Sequence, residues 1–299
     1  MRRYRGRFAP SPTGPLHLGS LVAATGSYLD AKKAEGEWLV RMEDVDEPRT
    51  VPGAADLILR TLAAFGMESD QPVIYQSRRK ELYRSALEDL KRKGMVYPCG
   101  CTRKEILDWQ VGFGPPSGQR YPGLCREGLA EGKQPRAWRF RVPQSVIQFE
   151  DRVMGPQAEN LDETSGDFIV LRADGFFAYQ LAVVVDDAEQ GVTDVVRGAD
   201  LLESTPRQIA LRCALEVGWP RYLHLPVALN PAGEKLSKQT RAPAVDASDP
   251  AAELMRVLRF LGQHPPAGLE GCRVDEVWNW AIANWEPSQI PRFFGAQVL

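Results

Sequence analysis

The sequence predicts an α/β protein built on a parallel sheet. Three observations carry this: strand and helix patterns alternate over residues 1–95, the first strand runs through a Pro/Gly-rich turn into a helix, and the rhythm breaks only once, at 96–150. Residues 4–8 read as the first strand. Residues 18–35 read as a helix with Leu18, Leu21, Val22 and Leu29 on its apolar side. A second strand at 38–42 ends in the acidic run Glu43-Asp44-Val45-Asp46. Ile58, Leu62 and Phe65, spaced i, i+4, i+7, mark the next helix, closed by Gly66. Ser77 can cap a charged helix carrying Leu82, Ala86 and Leu90, which stops at Gly94.

Residues 96–150 form an expected insertion. Proline and glycine crowd 112–123, Cys99, Cys101 and Cys125 appear, and 138–142 and 146–149 look like antiparallel strands. Strand character resumes at 168–171 and 192–196. Between them, 179–185 is too apolar for periodicity to separate helix from strand. Thr205 as N-cap, Pro206 in the first turn and Gly218 beyond the end bracket a helix. Past Asp249-Pro250, the set Leu254, Val257, Leu258 and Leu261 defines another, followed by a Trp-rich helical tail. The expected division is 1–95 and 151–222 for two halves of the sheet domain, 96–150 for the insertion, and 223–299 for a loop and a helical C-terminal region.

The 299 residues, 43% of them hydrophobic, suffice for one sizeable α/β domain and a smaller appendage. A net charge of −2 gives no overall sign of nucleic-acid binding. Locally, 78–104 holds nine Lys/Arg (78, 79, 80, 84, 91, 92, 93, 103, 104) against three acids (81, 88, 89), which suits phosphate contacts or a solvated helix face. No apolar run reaches membrane-span length and the N-terminus leads directly into a strand, so a cytoplasmic protein without leader or anchor is expected. Five cysteines, an odd number, argue against a disulfide framework. Cys213 and Cys272 look like packing residues, Cys213 sharing a helical face with Ile209. No dimerisation segment stands out, and a monomer is expected.

Two segments carry chemistry. The first is Arg7-Phe8-Ala9-Pro10-Ser11-Pro12-Thr13-Gly14-Pro15-Leu16-His17-Leu18-Gly19-Ser20. A strand–loop–helix start of this kind points backbone N–H groups and a helix N-terminus outward, where a polyphosphate can sit. Its prolines stiffen the loop, so little ordering is needed when a ligand arrives. The second is Glu234-Lys235-Leu236-Ser237-Lys238-Gln239-Thr240, after an apolar run and a turn. Two lysines three apart beside a serine suit transient neutralisation of phosphate charge.

Together, in this order, they resemble the HIGH and KMSKS signatures of class I aminoacyl-tRNA synthetases. With Arg41-Met42-Glu43-Asp44-Val45-Asp46 downstream, the first segment is similar to the glutamyl branch. The resemblance runs to about residue 245. It implies a Rossmann-like class I catalytic domain that activates an amino acid by attack of its carboxylate on the α-phosphate of ATP. The protein's part there is positioning and electrostatics, with Mg²⁺ held largely by phosphate oxygens. It implies His17, Gly19, Lys235 and Lys238 as the catalytic set, with His17, Gly19, Ser20 and Lys238 on ATP. It departs at Gln239, where KMSKS has serine.

Glutamate carries two carboxylates and one ammonium, so its site needs arginines and one buried acid. The resemblance places Arg7, Ala9 and Ser11 on the amino acid, Glu43 on its ammonium, and Tyr179 and Arg197 around the side chain. Plain alternatives exist: Glu43 pairing with Arg41 or Arg49, Arg197 at the surface of a strand end, Tyr179 in the core.

Cys99-Gly100-Cys101 and Cys125 suit thiolate ligation of a metal, since cytosolic thiols stay reduced. Zinc normally takes a fourth ligand, and none of His17, His224 and His264 is near in sequence. Tyr121, Glu127 or water could complete the set; the Cys-x-Cys…Tyr-x3-Cys arrangement of one branch of the family implies Tyr121. One structural zinc per chain is expected.

Only about sixty residues follow the lysine motif, too few for the anticodon-binding domain of a full glutamyl-tRNA synthetase. This shortness and the Tyr-x3-Cys spacing look like the glutamyl-Q tRNA(Asp) synthetases. That resemblance implies glutamate activation without tRNA, then esterification to the cyclopentene diol of queuosine in the anticodon of tRNA(Asp). The remaining alternatives are a truncated synthetase charging a tRNA 3′ end and a non-catalytic tRNA-binding paralogue.

Overall fold

The alternation at the N-terminus builds half of a parallel sheet. In a computed structural model describing residues 3–113, 120–236 and 242–297, β1 (Arg5–Phe8) leads into α1 (Leu18–Lys33) and then β2 (Glu37–Met42). Next come α2 (Ala54–Ala64), β3 (Ile74–Tyr75) and α3 (Lys80–Arg92). β1, β2 and β3 are parallel, with Arg5 opposite Glu37 and Arg41 opposite Ile74. Ser77 does not cap α3. Its N–H and hydroxyl go instead to the Asp44 carboxylate at 2.8 and 2.7 Å, and Arg79 takes the cap position. The basic stretch is largely a solvated helix face here, with Lys91 paired to Glu88 and Arg92 to Asp89 along α3.

The insertion carries β4 (Val96–Cys99), α4 (Arg103–Phe113) and β5 (Ala137–Phe140). Next follow β6 (Ile147–Asp151), β7 (Gly155–Glu159), α5 (Leu161–Thr164) and β8 (Phe168–Leu171). β4, β5 and β8 form one antiparallel sheet. The expected pairing of 138–142 with 146–149 is not made: β6 forms a hairpin with β7 and joins β10 in parallel at Asp151–Tyr222. A short strand with only Val146, Ile147 and Phe149 apolar fits either sheet, so its partner is set by tertiary context. Asp167 secures the junction by accepting from the Tyr97 hydroxyl and the Val142 N–H.

The ambiguous apolar segment is helical, α6 (Tyr179–Glu189), followed by β9 (Asp194–Gly198), α7 (Thr205–Ala214), β10 (Arg221–Leu225) and β11 (Val227–Leu229). Thr205 is the first residue of α7 and not its cap, since its hydroxyl serves Arg197. Cys213 is exposed while Ile209 is buried, so Cys213 does not pack in the core. β9 and β10 are parallel, and the Thr193 N–H donates to the Arg5 carbonyl at 2.9 Å, bringing the parallel β1-β2-β3 sheet and the mixed β7-β6-β10-β9 sheet together beside β1. α1 lies across this junction. At Gly26 a Cβ would stand 2.5 Å from the tip of the buried Leu225 side chain, which would have to shift to admit any larger residue.

The C-terminal region contributes α8 (Pro250–Phe260), α9 (Val274–Asn284) and β12 (Gly295–Gln297). Asp249 caps α8 by accepting from the Ala252 N–H. Trp278 Nε1–H reaches the Phe65 carbonyl at 2.7 Å and Trp285 Nε1–H reaches Asp30 at 3.1 Å, tying α9 and its end to the first half. β12 adds in parallel to β11. Among the described residues no helix is long and apolar enough to cross a membrane.

Candidate active site

The loop after β1 is held at both ends before it reaches α1. Pro10 and Pro12 carbonyls accept from the Glu43 and Val51 N–H groups, each at 2.9 Å, and the Leu16 carbonyl accepts from Val245 at 3.0 Å. His17 caps α1: Nδ1 accepts the Ser20 N–H at 3.2 Å, so the ring proton sits on Nε2, 3.1 Å from the Ser20 hydroxyl. At Gly19 a Cβ would be 3.2 Å from the His17 ring and 3.3 Å from the Leu236 carbonyl. The lysine-bearing loop thus starts against the N-terminus of α1. Lys235 Nζ lies 2.5 Å from Asp200. Lys238 lies outside the described residues.

Below this mouth is a buried charge cluster. Arg7 holds Asp187 at 3.2 Å, and Arg41 bridges Asp187 at 2.8 Å and Glu43 at 3.1 Å. Asp187 is buried, yet Arg7, Arg41 and Arg212 overcome the cost of burial and hold its carboxyl far below the usual carboxylate range. Burial wins at Glu43, whose carboxyl is pushed up against the opposing pull of Arg41 and Arg7. Glu43 therefore pairs with Arg41, as one of the plain alternatives had it, and still faces the cleft.

The far wall is organised around Arg197, which is 4% exposed. Its Nε–H donates to His224 Nε2 at 3.0 Å, and Nη2 donates to Thr205 Oγ1 at 2.8 Å and the Leu201 carbonyl at 3.3 Å. Nη1 makes a longer contact, 3.5 Å, to the Tyr179 hydroxyl. Because an arginine N–H can only donate, His224 Nε2 must accept, and its proton is on Nδ1, 2.6 Å from Asp151. Burial also holds the imidazole below its usual pKa, against the pull of Asp151.

These elements enclose a cleft of about 870 Å³. Arg7, Ala9, Ser11, Glu43, Tyr179 and Arg197 line it, as do His17, Gly19, Ser20 and Lys235. Five stretches distant in sequence meet there.

The cysteines converge separately, in the insertion. Cys99, Cys101 and Cys125 bring their Sγ atoms within 4.8 Å of one another, with Cys101 and Cys125 3.4 Å apart. The Tyr121 hydroxyl is 3.4 Å from Cys99 and 3.5 Å from Cys101. A tetrahedron of Zn–S bonds of about 2.3 Å has edges of roughly 3.8 Å, so three thiolates and a phenol oxygen fit a zinc ion. Gly166 permits the arrangement: with φ at +62°, a Cβ there would meet the Tyr121 carbonyl at 2.4 Å. Arg139 donates to Cys99 at 3.3 Å and stacks 3.6 Å above the Tyr121 ring. Despite burial, hydrogen bonds from Tyr121, the Cys101 amide and Arg139 hold the Cys99 thiol below its usual value. Burial and the neighbouring sulfurs push Cys101 up to about 12.

Residues 3–296 match the family described as tRNA synthetases class I (E and Q), catalytic domain. The glutamyl-Q tRNA(Asp) synthetase of Dechloromonas aromatica is 61% identical over 97% of this chain and 96% of its own length, and that of Chromobacterium violaceum is 58% identical over 96% and 95%. The chain belongs to the glutamyl-Q tRNA(Asp) synthetase family. It is accordingly a ligase of the aminoacyl-tRNA synthetase type. The fold agrees: a glutamate tRNA ligase from Elizabethkingia meningosepticum, solved in complex with its amino acid, superposes with a TM-score of 0.82 at 27% identity, covering 100% of this chain and 67% of that one.

Sequence reasoning missed the supports behind the cleft. Asp187 and Asp186 sit in the apolar run of α6, where acids after Val183-Val184-Val185 were an available signal for a buried ionic cluster. In the sequence His224 stands in no motif and far from the cysteines. It is completely buried on β10, and its partner Asp151 is seventy-three positions away. No local pattern joins them.

Proposed function

We propose that this enzyme activates L-glutamate with ATP to glutamyl-adenylate without needing tRNA, then transfers glutamate to the queuosine cyclopentene diol in the anticodon of tRNA(Asp). The observation that carries the first half is the convergence of an acid, two fixed arginines and a phosphate-type helix start on one cleft. In this reading the ammonium of glutamate meets Glu43, its carboxylates meet the arginine-lined walls near Arg7 and near Arg197 and Tyr179, and the triphosphate lies over His17, Gly19 and Ser20. Lys235 and Lys238 neutralise charge as pyrophosphate leaves, and Mg²⁺ travels with ATP. The second half draws on the 61% identical relative. A cyclopentene cis-diol mimics the ribose cis-diol that ordinary synthetases acylate, so one active site can serve it. Zinc held by Cys99, Cys101, Tyr121 and Cys125 would brace the insertion, apart from the adenylate chemistry.

Glutamate-dependent ATP–pyrophosphate exchange in the absence of tRNA tests this. Exchange is expected, and Lys238→Ala lowers it on the order of 10²-fold. A requirement for tRNA would favour a truncated 3′-end synthetase, and no exchange under any condition would leave a non-catalytic paralogue.

A further inference from the structure

The arginines on the cleft differ in what neutralises them. Arg7 has Asp187 at 3.2 Å, Arg49 has Asp46 at 3.7 Å, and Arg172 has Asp46 at 3.1 Å. Among the described residues no carboxylate lies within 4 Å of Arg197. Its contacts are neutral: an imidazole, a hydroxyl, a backbone carbonyl and a phenol. The balancing anion, Asp151, stands one imidazole further back, where Oδ1 also accepts the Val153 and Met154 N–H groups at 3.0 and 2.8 Å.

Two consequences follow from this spacing. A guanidinium held on Nε and Nη2 cannot swing, so Nη1, with one long contact, stays presented to the cleft. Its charge is also not cancelled by direct contact, so an incoming carboxylate finds a full partner in a site of low dielectric. A carboxylate in the place of His224 would remove that second property while keeping the first.

We propose that Asp151 and His224 are positioning residues for Arg197. The imidazole acts as a spacer that locks the guanidinium while leaving its charge for the substrate, and so sets the preference for a side-chain carboxylate over an amide. This rests on the reading that the glutamate side chain meets Arg197.

Two substitutions separate the roles of the ring nitrogens. His224→Gln keeps an acceptor near the position of Nε2, towards Arg197. His224→Asn keeps a group near the position of Nδ1, towards Asp151, and leaves Arg197 Nε unpaired. ATP–pyrophosphate exchange would be measured with glutamate and with glutamine for both variants and the unmodified enzyme. The Asn variant is expected to raise KM for glutamate about 10-fold or more, the range for losing a hydrogen bond to a charged group. KM for ATP should stay within about 2-fold and the glutamate-to-glutamine ratio of kcat/KM should fall. The Gln variant should restore most of both. If neither variant folds, Asp151→Asn reaches the same readout by weakening the hold on Nδ1, and it too should lower the ratio. An unchanged ratio in the folded variants, or KM for glutamate and ATP rising together, would overturn the relay. Absence of glutamate-dependent exchange in the unmodified enzyme would sink the functional reading first, before any variant is compared.

Discussion

At position 43 a carboxylate forms part of the cleft wall with Arg41 Nη2 3.1 Å away. Burial raises its affinity for a proton more than Arg41 and Arg7 lower it, so a second cation would be welcome beside it. Glu43→Gln is therefore expected to raise KM for glutamate about 10- to 100-fold, the equivalent of a charge-assisted bond of roughly 1.5–3 kcal/mol. KM for ATP should be nearly unchanged, and exchange kinetics at varied glutamate and ATP would show it. A parallel rise in both constants would assign Glu43 to architecture alone. That the first-motif residues, Glu43 and Lys235 would share one cleft was readable because each sits in a short motif whose chemistry is local. Asp151, His224 and Asp187 were not, because their partners are brought in only by the sheet and by α6.

At the scale of elements, the cysteine-bearing part of the insertion has only a small apolar core of its own. Tyr97, Cys99, Tyr121 and Cys125 form a small separate cluster, and a metal there would substitute for hydrophobic mass. Elemental analysis of the purified protein is expected to give one zinc per chain, and Cys101→Ser should abolish it and lower the melting temperature. Metal-free protein as stable as the purified form would reject the site. The three cysteines stood out in the sequence because their spacing is ligand-like. Strand partnerships did not. A four-residue strand such as Phe168–Leu171 carries an apolar pattern but no register, and the Asp151–Tyr222 bridge that draws β6 into the parallel sheet depends on a residue pair from opposite ends of the middle of the chain.

For the whole molecule, the cleft exists because the parallel β1-β2-β3 sheet and the parallel β9–β10 pair of the second sheet meet side by side under α1. The C-terminal region braces the first half through Trp278 and Trp285, which reach the end of α2 and α1. The alternation of strands and helices announced the first half-sheet. The closure by β12 onto β11, beside the lysine loop, had no counterpart in the pattern, since three residues of Gly-Ala-Gln give no strand signal. The proposed delivery of activated glutamate to queuosine is tested by ATP-dependent transfer of labelled glutamate to tRNA(Asp), comparing queuosine-containing RNA with the queuosine-free transcript. Label on the modified RNA alone is the predicted result. Label on tRNA(Glu), or on both forms of tRNA(Asp), would contradict it and make the enzyme a compact 3′-end synthetase.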